Sequence, residues 1–153
     1  MTTAEERLAA LGLKLPEVAT PAGAYVPAVR SGNFVFTAGQ LPFADGKLAG
    51  TGKVGDSVTV EEAAGFARTA ALNALAAAAS QAGGLDAIKR VVKVVCFVSS
   101  APDFTGQAEV ANGASGLFLD VLGEAGKHAR SAVGMAVLPR DTPVEVEIVV
   151  EVA

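Results

Sequence analysis

An arginine and a group of glutamates near the end of the chain are the side chains best suited to chemistry. Arg130 is followed at every second position by a very small residue, which leaves room for a ligand or a backbone to come close. These small residues are Ala132, Gly134 and Ala136. The glutamates occupy alternate positions of the next apolar run: Glu145, Glu147 and Glu151.

These residue types suit the binding of a small carboxylate and acid–base catalysis beside it. An arginine grips a planar carboxylate with two parallel N–H bonds, and paired carboxylic acids can move protons. A second interpretation stays open, because alternating glutamates are common on a solvent-facing strand and Arg130 could form an ion pair with Glu147 or Glu151. Spacing alone favours neither interpretation.

The residues around these groups predict two strands joined by a turn. Pro139 and Pro143 flank polar residues, a pattern that suits a turn and excludes a central strand. In the last strand, valine and isoleucine at 144, 146, 148, 150 and 152 share one face, and the glutamates share the other. In the strand before it we expect the core side to carry Val133, Met135 and Val137. Arg130 would then share the opposite face with the glutamates, on the adjoining strand.

The rest of the chain predicts strands interrupted by two substantial helices. Thr59, with Glu62 three residues later, forms a capping box that opens the longest helix, and Gly83 ends it. The nearly continuous apolar run at 91–98 indicates a central strand. The remaining predicted elements are a short helix at 3–11, a hairpin of 25–30 with 34–38, a short strand near 47–49 and a helix at 105–122. The fold class is therefore α+β, with two helices on one face of a mixed sheet.

Composition indicates one domain and argues against several functional classes. The chain has 153 residues, of which 51% are hydrophobic, so a sheet covered on one face would leave apolar surface and we expect a homo-oligomer. The net charge of −4 disfavours nucleic acid as a partner. The only cysteine, Cys96, and the only histidine, His128, make a His/Cys metal site improbable. Cys96 should be a buried reduced thiol, and we expect a cytoplasmic protein without a signal peptide or membrane span.

Several short segments resemble the RidA family, also called YjgF and often described as endoribonuclease L-PSP. The strongest is the C-terminal block, in which Arg130-Ser-Ala-Val precedes Leu138-Pro139 and Val144-Glu-Val-Glu147. Weaker matches occur in order before it. They are Gly23-Ala-Tyr25, Thr37-Ala-Gly-Gln-Leu-Pro42, Phe97-Val98 with Asp103-Phe104, and Asn112 with Phe118. The resemblance runs from about residue 23 to the end, so we expect one domain at 1–153, with a helix and connector at 1–22 before a core at 23–153.

The resemblance implies a chorismate-mutase-like fold and a homotrimer with a ligand cleft between neighbouring subunits. It also implies hydrolysis of reactive enamines and imines, such as 2-aminoacrylate and 2-iminopropanoate, to 2-oxo acids and ammonia without a cofactor or a metal. Arg130 would bind the substrate carboxylate, and Glu147 would orient or activate water. The remaining residues of the expected substrate site are Tyr25, Ala38, Gly39, Asn112 and Ala132.

The sequence departs from the family pattern in ways that keep two rival functions open. Ala132 replaces the family's cysteine, Gly134 replaces a glutamate, and Ala38 replaces a serine. These changes are typical of a divergent branch with a roomier, less polar cleft. A non-catalytic trimer that binds small carboxylates or 2-oxo acids is the main rival. The acidic composition and the single histidine argue against an endoribonuclease.

Overall fold

The computed structural model describes residues 2–153, which form three α-helices and seven strands. The helices are α1 (Ala4–Ala10), α2 (Val60–Ala82) and α3 (Gln107–Leu122). The strands are β1 (Ala28–Ser31), β2 (Phe34–Thr37), β3 (Phe43–Ala44), β4 (Lys47–Leu48), β5 (Ile88–Ser99), β6 (Ala129–Met135) and β7 (Val144–Val152). Short 3₁₀ turns lie at Leu85–Ala87, Gly123–Gly126 and Pro139–Asp141. The elements predicted from the sequence are all present, with shifts of a few residues at their ends.

Five strands form a mixed sheet in the order β1-β2-β7-β5-β6, and β3 pairs separately with β4. Only β5 and β6 run parallel, because α3 carries the chain from the end of one back to the start of the other. The other pairs in the sheet are antiparallel. As the apolar run predicted, β5 is a central strand, flanked by β7 and β6.

Helices α2 and α3 cover one face of this sheet. Thr59 and Glu62 form the predicted capping box of α2, and Gly83, with φ 96°, ends it in the left-handed conformation that glycine accepts readily. The buried side of α2 is almost entirely alanine, so the helix can lie close to its neighbours. An ideal Cβ on Gly113 of α3 would overlap the carbonyl oxygen of Ala64 in α2, so this glycine sets how closely the helices approach.

Helix α1 is short but fixed at several points. Thr3 and Glu6 form a second capping box, the backbone N–H of Glu5 donates to Asp86 Oδ1 at 3.0 Å, and Leu8 is buried. The connector that follows α1 packs Leu13, Leu15 and Val18 against the core. The N-terminal segment is therefore part of the folded domain.

The structure corrects two predictions about the C-terminal strands. Strands β6 and β7 are not adjacent, because β5 lies between them. The apolar alternation of β7 does face the core, but Val133 and Met135 of β6, and Val137 after it, lie on the uncovered side and are 36–70% exposed. Arg130 and Ala132 point toward the helices instead. Thus Arg130 does not share a face with the glutamates.

The face of the sheet away from the helices is uncovered in one chain. It exposes apolar side chains from several strands: Val29, Phe34, Phe36, Val133 and Met135. Glu145 and Glu147 of β7 lie on the same face, opposite to the buried valines. Within residues 2–153, no helix combines the length and apolar character that a membrane crossing requires.

Candidate functional site

Arg130 is held by the helix that packs against its strand. Its Nη1 donates to Asn112 Oδ1 at 2.8 Å and to Ser115 Oγ at 3.1 Å, and Nη2 donates to the carbonyl oxygen of Ala108 at 3.4 Å. A guanidinium has five N–H donors, so Nε–H and one Nη2–H have no acceptor among residues 2–153. That side of the guanidinium is the one that can bind a carboxylate with two parallel bonds. Asn112, which the family resemblance places in the substrate site, is thus in direct contact with Arg130.

His128 supports this arrangement through Ser115. His128 Nε2 lies 2.8 Å from Ser115 Oγ, and Nδ1 lies 2.6 Å from the carbonyl oxygen of Gly126. Since a carbonyl only accepts, Nδ1 carries a proton, and in the Nδ1–H tautomer Nε2 accepts the Ser115 hydroxyl proton. Ser115 Oγ is then free to accept from Arg130. The sequence assigned no role to His128 or Ser115, because the contact depends on how α3 packs against β6.

Glu145 forms a second polar centre, on the other face of the sheet. It is half-buried, and burial raises the pKa of its carboxyl above the usual value, with a further contribution from the negative charge of Glu147. Its side chain lies against Gly39. An ideal Cβ on that glycine would overlap Glu145 Oε1 and stand 2.7 Å from Cδ, so any larger residue at position 39 would require the Glu145 side chain to move. The close contact between Gly39 and Glu145 therefore depends on the absence of a side chain at residue 39.

Glu145 and Gly39 line an open cavity of about 890 Å³. The connector at residues 16–23 forms one side of it, and the segment at 39–46 forms another. Tyr25 and Arg140 also line the cavity, and Arg140 lies 5.8 Å from the centre of the Phe43 ring. Arg140 and Asp141 both have φ 58°, a left-handed backbone that costs an ordinary residue about 1–2 kcal/mol. A tight turn between two prolines thus holds a cation at the cavity.

The sheet separates Arg130 from Glu145 within one chain. Arg130 of β6 pairs with Val94 of β5, and Val94 pairs in turn with Ile148 of β7. The side chain of Arg130 faces the helices. Glu145 pairs with Phe97, three residues further along β5, and faces the uncovered side. One chain therefore holds two separate polar centres, an arginine on an edge strand and a carboxylic acid in a cavity.

The structure distributes the predicted site residues over these two polar centres. Asn112 lies with Arg130, whereas Tyr25 and Gly39 lie with Glu145. Ala38 adjoins Gly39, and its N–H donates to the carbonyl oxygen of Pro27 at 2.8 Å. Ala132 pairs with Cys96 across β6 and β5 and packs on the core. Glu147 pairs with Val95 on the uncovered face and does not line the cavity.

Sequence reasoning missed Arg140 and the connector as parts of this cavity. The sequence pattern at residues 138–143 predicts only a turn, and that of the connector predicts only a link. The available signal was a charged residue within a proline-bounded turn. Cys96 is buried and free, as predicted, and burial raises the pKa of its thiol to about 12, partly offset by the charge of Arg130. It is thus an inert core residue.

Comparisons with known proteins agree with this architecture. The family described as "YjgF/chorismate_mutase-like, putative endoribonuclease" matches residues 5–152. Protein TCP17 of Trypanosoma cruzi is 49% identical over 142 residues, covering 92% of this chain and 89% of that protein. The crystal structure of Atu1372 from Agrobacterium tumefaciens, a protein of unknown function, superposes with a TM-score of 0.91 at 45% identity over 99% of this chain and 94% of that one.

Two further solved structures show more distant similarity. RidA from an Antarctic Psychrobacter is 26% identical, with a TM-score of 0.61 over 89% of this chain and 94% of its own. Escherichia coli TdcF, solved with bound serine, is 25% identical, with a TM-score of 0.61 over 90% of this chain and 99% of its own. These similarities confirm the predicted chorismate-mutase-like fold. The family match extends to residue 5 and so includes most of α1. The chain therefore belongs to the YjgF/chorismate mutase-like family, the family that the C-terminal block resembles.

Proposed function

We propose that this protein hydrolyses 2-imino and 2-enamino acids to 2-oxo acids and ammonia, without a cofactor. In the imine form, water adds to the imine carbon, the carbon–nitrogen bond of the resulting carbinolamine breaks, and ammonia leaves. The reaction needs an anchor for the substrate carboxylate and a group that takes and returns a proton. Arg130 is the proposed anchor, and Glu145 is the proposed acid–base group.

The observation that carries the proposal is the state of Glu145. It is a half-buried carboxyl with a raised pKa that lies against Gly39 in an open cavity. Groups that exchange protons near neutral pH are commonly tuned in this direction. The family resemblance implied Glu147 for this role. We assign the role to Glu145 because it lines the cavity and Glu147 does not.

We infer that the complete site forms between two subunits of a homotrimer. Arg130 lies on an edge strand, and Glu145 lies on the opposite face, so a neighbouring copy would have to supply the missing half. The exposed apolar side chains of the uncovered face support assembly of this kind. A bound amino acid in the related TdcF also fits a small carboxylate as ligand. We place the reaction in the cytoplasm.

The test is hydrolysis of 2-iminopropanoate, generated in situ from alanine by an amino-acid oxidase, with semicarbazide trapping the imine that remains. Wild type should remove the imine. Arg130→Ala lacks the carboxylate anchor and should no longer remove the imine. Glu145→Gln should hydrolyse it about 10²–10⁴-fold more slowly, the usual contribution of a general acid–base group. Glu147→Gln, which removes the neighbouring carboxylate, is the matched comparison and should lose much less.

A larger loss in Glu147→Gln than in Glu145→Gln would contradict our assignment of the acid. If wild type is inert while pyruvate raises its unfolding temperature, and does so only with Arg130 present, the protein binds small carboxylates without hydrolysing imines. That rival draws support from the absence of the family's cysteine and serine at Ala132 and Ala38.

A further inference from the structure

The cavity beside Glu145 is larger than the small substrates of the proposed reaction require. Cavities of 300–1,000 Å³ typically enclose ligands of drug-like size, and this one measures about 890 Å³. Beyond its imino-acid group, 2-iminopropanoate offers only a methyl. We propose that the cavity binds the substrate's side chain, and that the preferred substrates are 2-imino acids with large apolar or aromatic side chains. The inference rests on the proposed function, because it places the imine at Glu145.

The inner surface of the cavity has the chemistry of such a side chain. Pro16, Val18 and Pro21 of the connector line it and are half-buried. Tyr25 and Phe43 add two aromatic rings. Although Tyr25 is 52% exposed, its Oη accepts the N–H of Ala22 at 3.3 Å, which fixes the ring against the connector. Rigid aromatic and aliphatic walls of this kind favour an apolar group over water.

The charged residues that line the cavity lie at its rim. Glu17, Asp45 and Arg140 are all exposed, so their charges stay in water. Glu145 is the exception, and it is the proposed reacting group. Among residues 2–153 of this chain, no charged side chain is therefore placed to pair with the end of a bound side chain deep in the cavity. This distribution favours a neutral side chain over an acidic or basic one.

Both walls that this chain contributes to the cavity are anchored, so the space between them does not depend on a ligand. On one side, Val18 of the connector packs on the core. Helix α1, which precedes the connector, is anchored by the buried side chain of Leu8. On the other side, Asn73 of α2 is buried and donates from Nδ2 to the carbonyl oxygens of Leu41 at 2.9 Å and Phe43 at 3.0 Å. A preformed pocket loses little order when it binds.

The experiment compares imines made in situ from L-alanine, L-leucine and L-phenylalanine by an L-amino-acid oxidase. Wild type should show kcat/KM at least about tenfold higher for the leucine- and phenylalanine-derived imines, as each well-buried methylene contributes appreciably to discrimination. Ala22→Trp places a bulky ring on the connector wall and should lower that ratio about tenfold or more. Ala9→Trp, on the exposed side of α1, should preserve it.

Equal or better use of the alanine-derived imine by wild type would overturn the inference, as would an equal loss for all three imines in Ala22→Trp. A binding measurement separates this outcome from a failure of the proposed function. If no imine is hydrolysed, phenylpyruvate should still raise the unfolding temperature of wild type more than pyruvate does, and Ala22→Trp should remove the difference. Equal shifts with the two acids, or none, would overturn the assignment of the cavity.

Discussion

At the scale of single residues, the choice of the proposed acid–base group depends on which of two similar glutamates lines the cavity. Glu145 and Glu147 share a strand, a face and a neighbourhood in the sequence, so alternation could not tell them apart. What distinguishes them is Gly39, which reaches Glu145 from a segment over a hundred residues away in the chain. Contacts between distant segments of this kind are invisible to periodicity.

The pH dependence of hydrolysis should report on Glu145. A base must be deprotonated to act, so kcat/KM should fall as the pH drops through the pKa of Glu145, which burial and Glu147 hold above the usual value of 4.5. Glu147→Gln removes one of these causes, so the acidic limb of the pH profile should move to lower pH. An unmoved limb in that variant would show that another group controls it.

The raised pKa of Glu145 also predicts an effect on stability. Whereas kcat/KM should rise with pH, the stability contributed by Glu145 should fall. Because the folded-state pKa is raised, the contribution of Glu145 to stability is present below its unfolded pKa and is lost as the pH rises through the folded pKa. Glu145→Gln should therefore unfold at a higher temperature than wild type at pH 8. The difference should vanish near pH 4. Calorimetry at both pH values measures it, and a difference that is independent of pH would contradict the assignment.

Gly39→Ala tests the close contact with Glu145 directly. The added methyl cannot coexist with the present position of the carboxylate, so Glu145 must turn away and imine hydrolysis should fall at least about tenfold. If this is the cause, the double variant Gly39→Ala/Glu145→Gln should be no worse than Glu145→Gln alone. Additive losses would point to a separate role for Gly39.

At the scale of elements, most boundaries were predictable because local chemistry sets them. The capping box at Thr59 and the stop at Gly83 lie where the sequence placed them. The neighbours of β6 were predicted wrongly, because consecutive strands were assumed to pair. The strand–helix–strand pattern of β5, α3 and β6 was the better guide, since such units form parallel neighbours. The error also reversed the faces of β6, since its alternation of small and apolar residues fits either side.

Substitution by alanine should change the free energy of unfolding in opposite directions at two helix glycines. Gly113→Ala would drive a methyl into the carbonyl of Ala64 and should lower the free energy of unfolding by about 1–3 kcal/mol, the usual cost of overpacking. Gly65→Ala meets nothing within 4 Å and should raise it by about 0.5–1 kcal/mol through helix propensity. Urea unfolding of both variants measures the difference. Similar effects in the two would show that α2 and α3 are not held this closely.

At the scale of the whole molecule, the uncovered sheet face is the feature to test. Phe36 is 48% exposed there, beside Val29 and Val149. Phe36→Glu should lower the mass measured by light scattering toward that of a single chain, because a charge would be buried in the proposed interface. Leu119 on α3 is 42% exposed on the helix side, so Leu119→Glu should leave the mass unchanged. The reverse pattern would place the interface on the helices.

The separation of Arg130 from Glu145 by the sheet also has a genetic consequence. If neighbouring chains share each cleft, a chain without Arg130 still supplies a sound Glu145, and a chain without Glu145 still supplies a sound Arg130. Two alleles that are each inactive alone should then restore hydrolysis when expressed in one cell. With equal random mixing in a ring, about a quarter of the clefts would combine both sound halves. Two defects in the same half-site could not rescue one another.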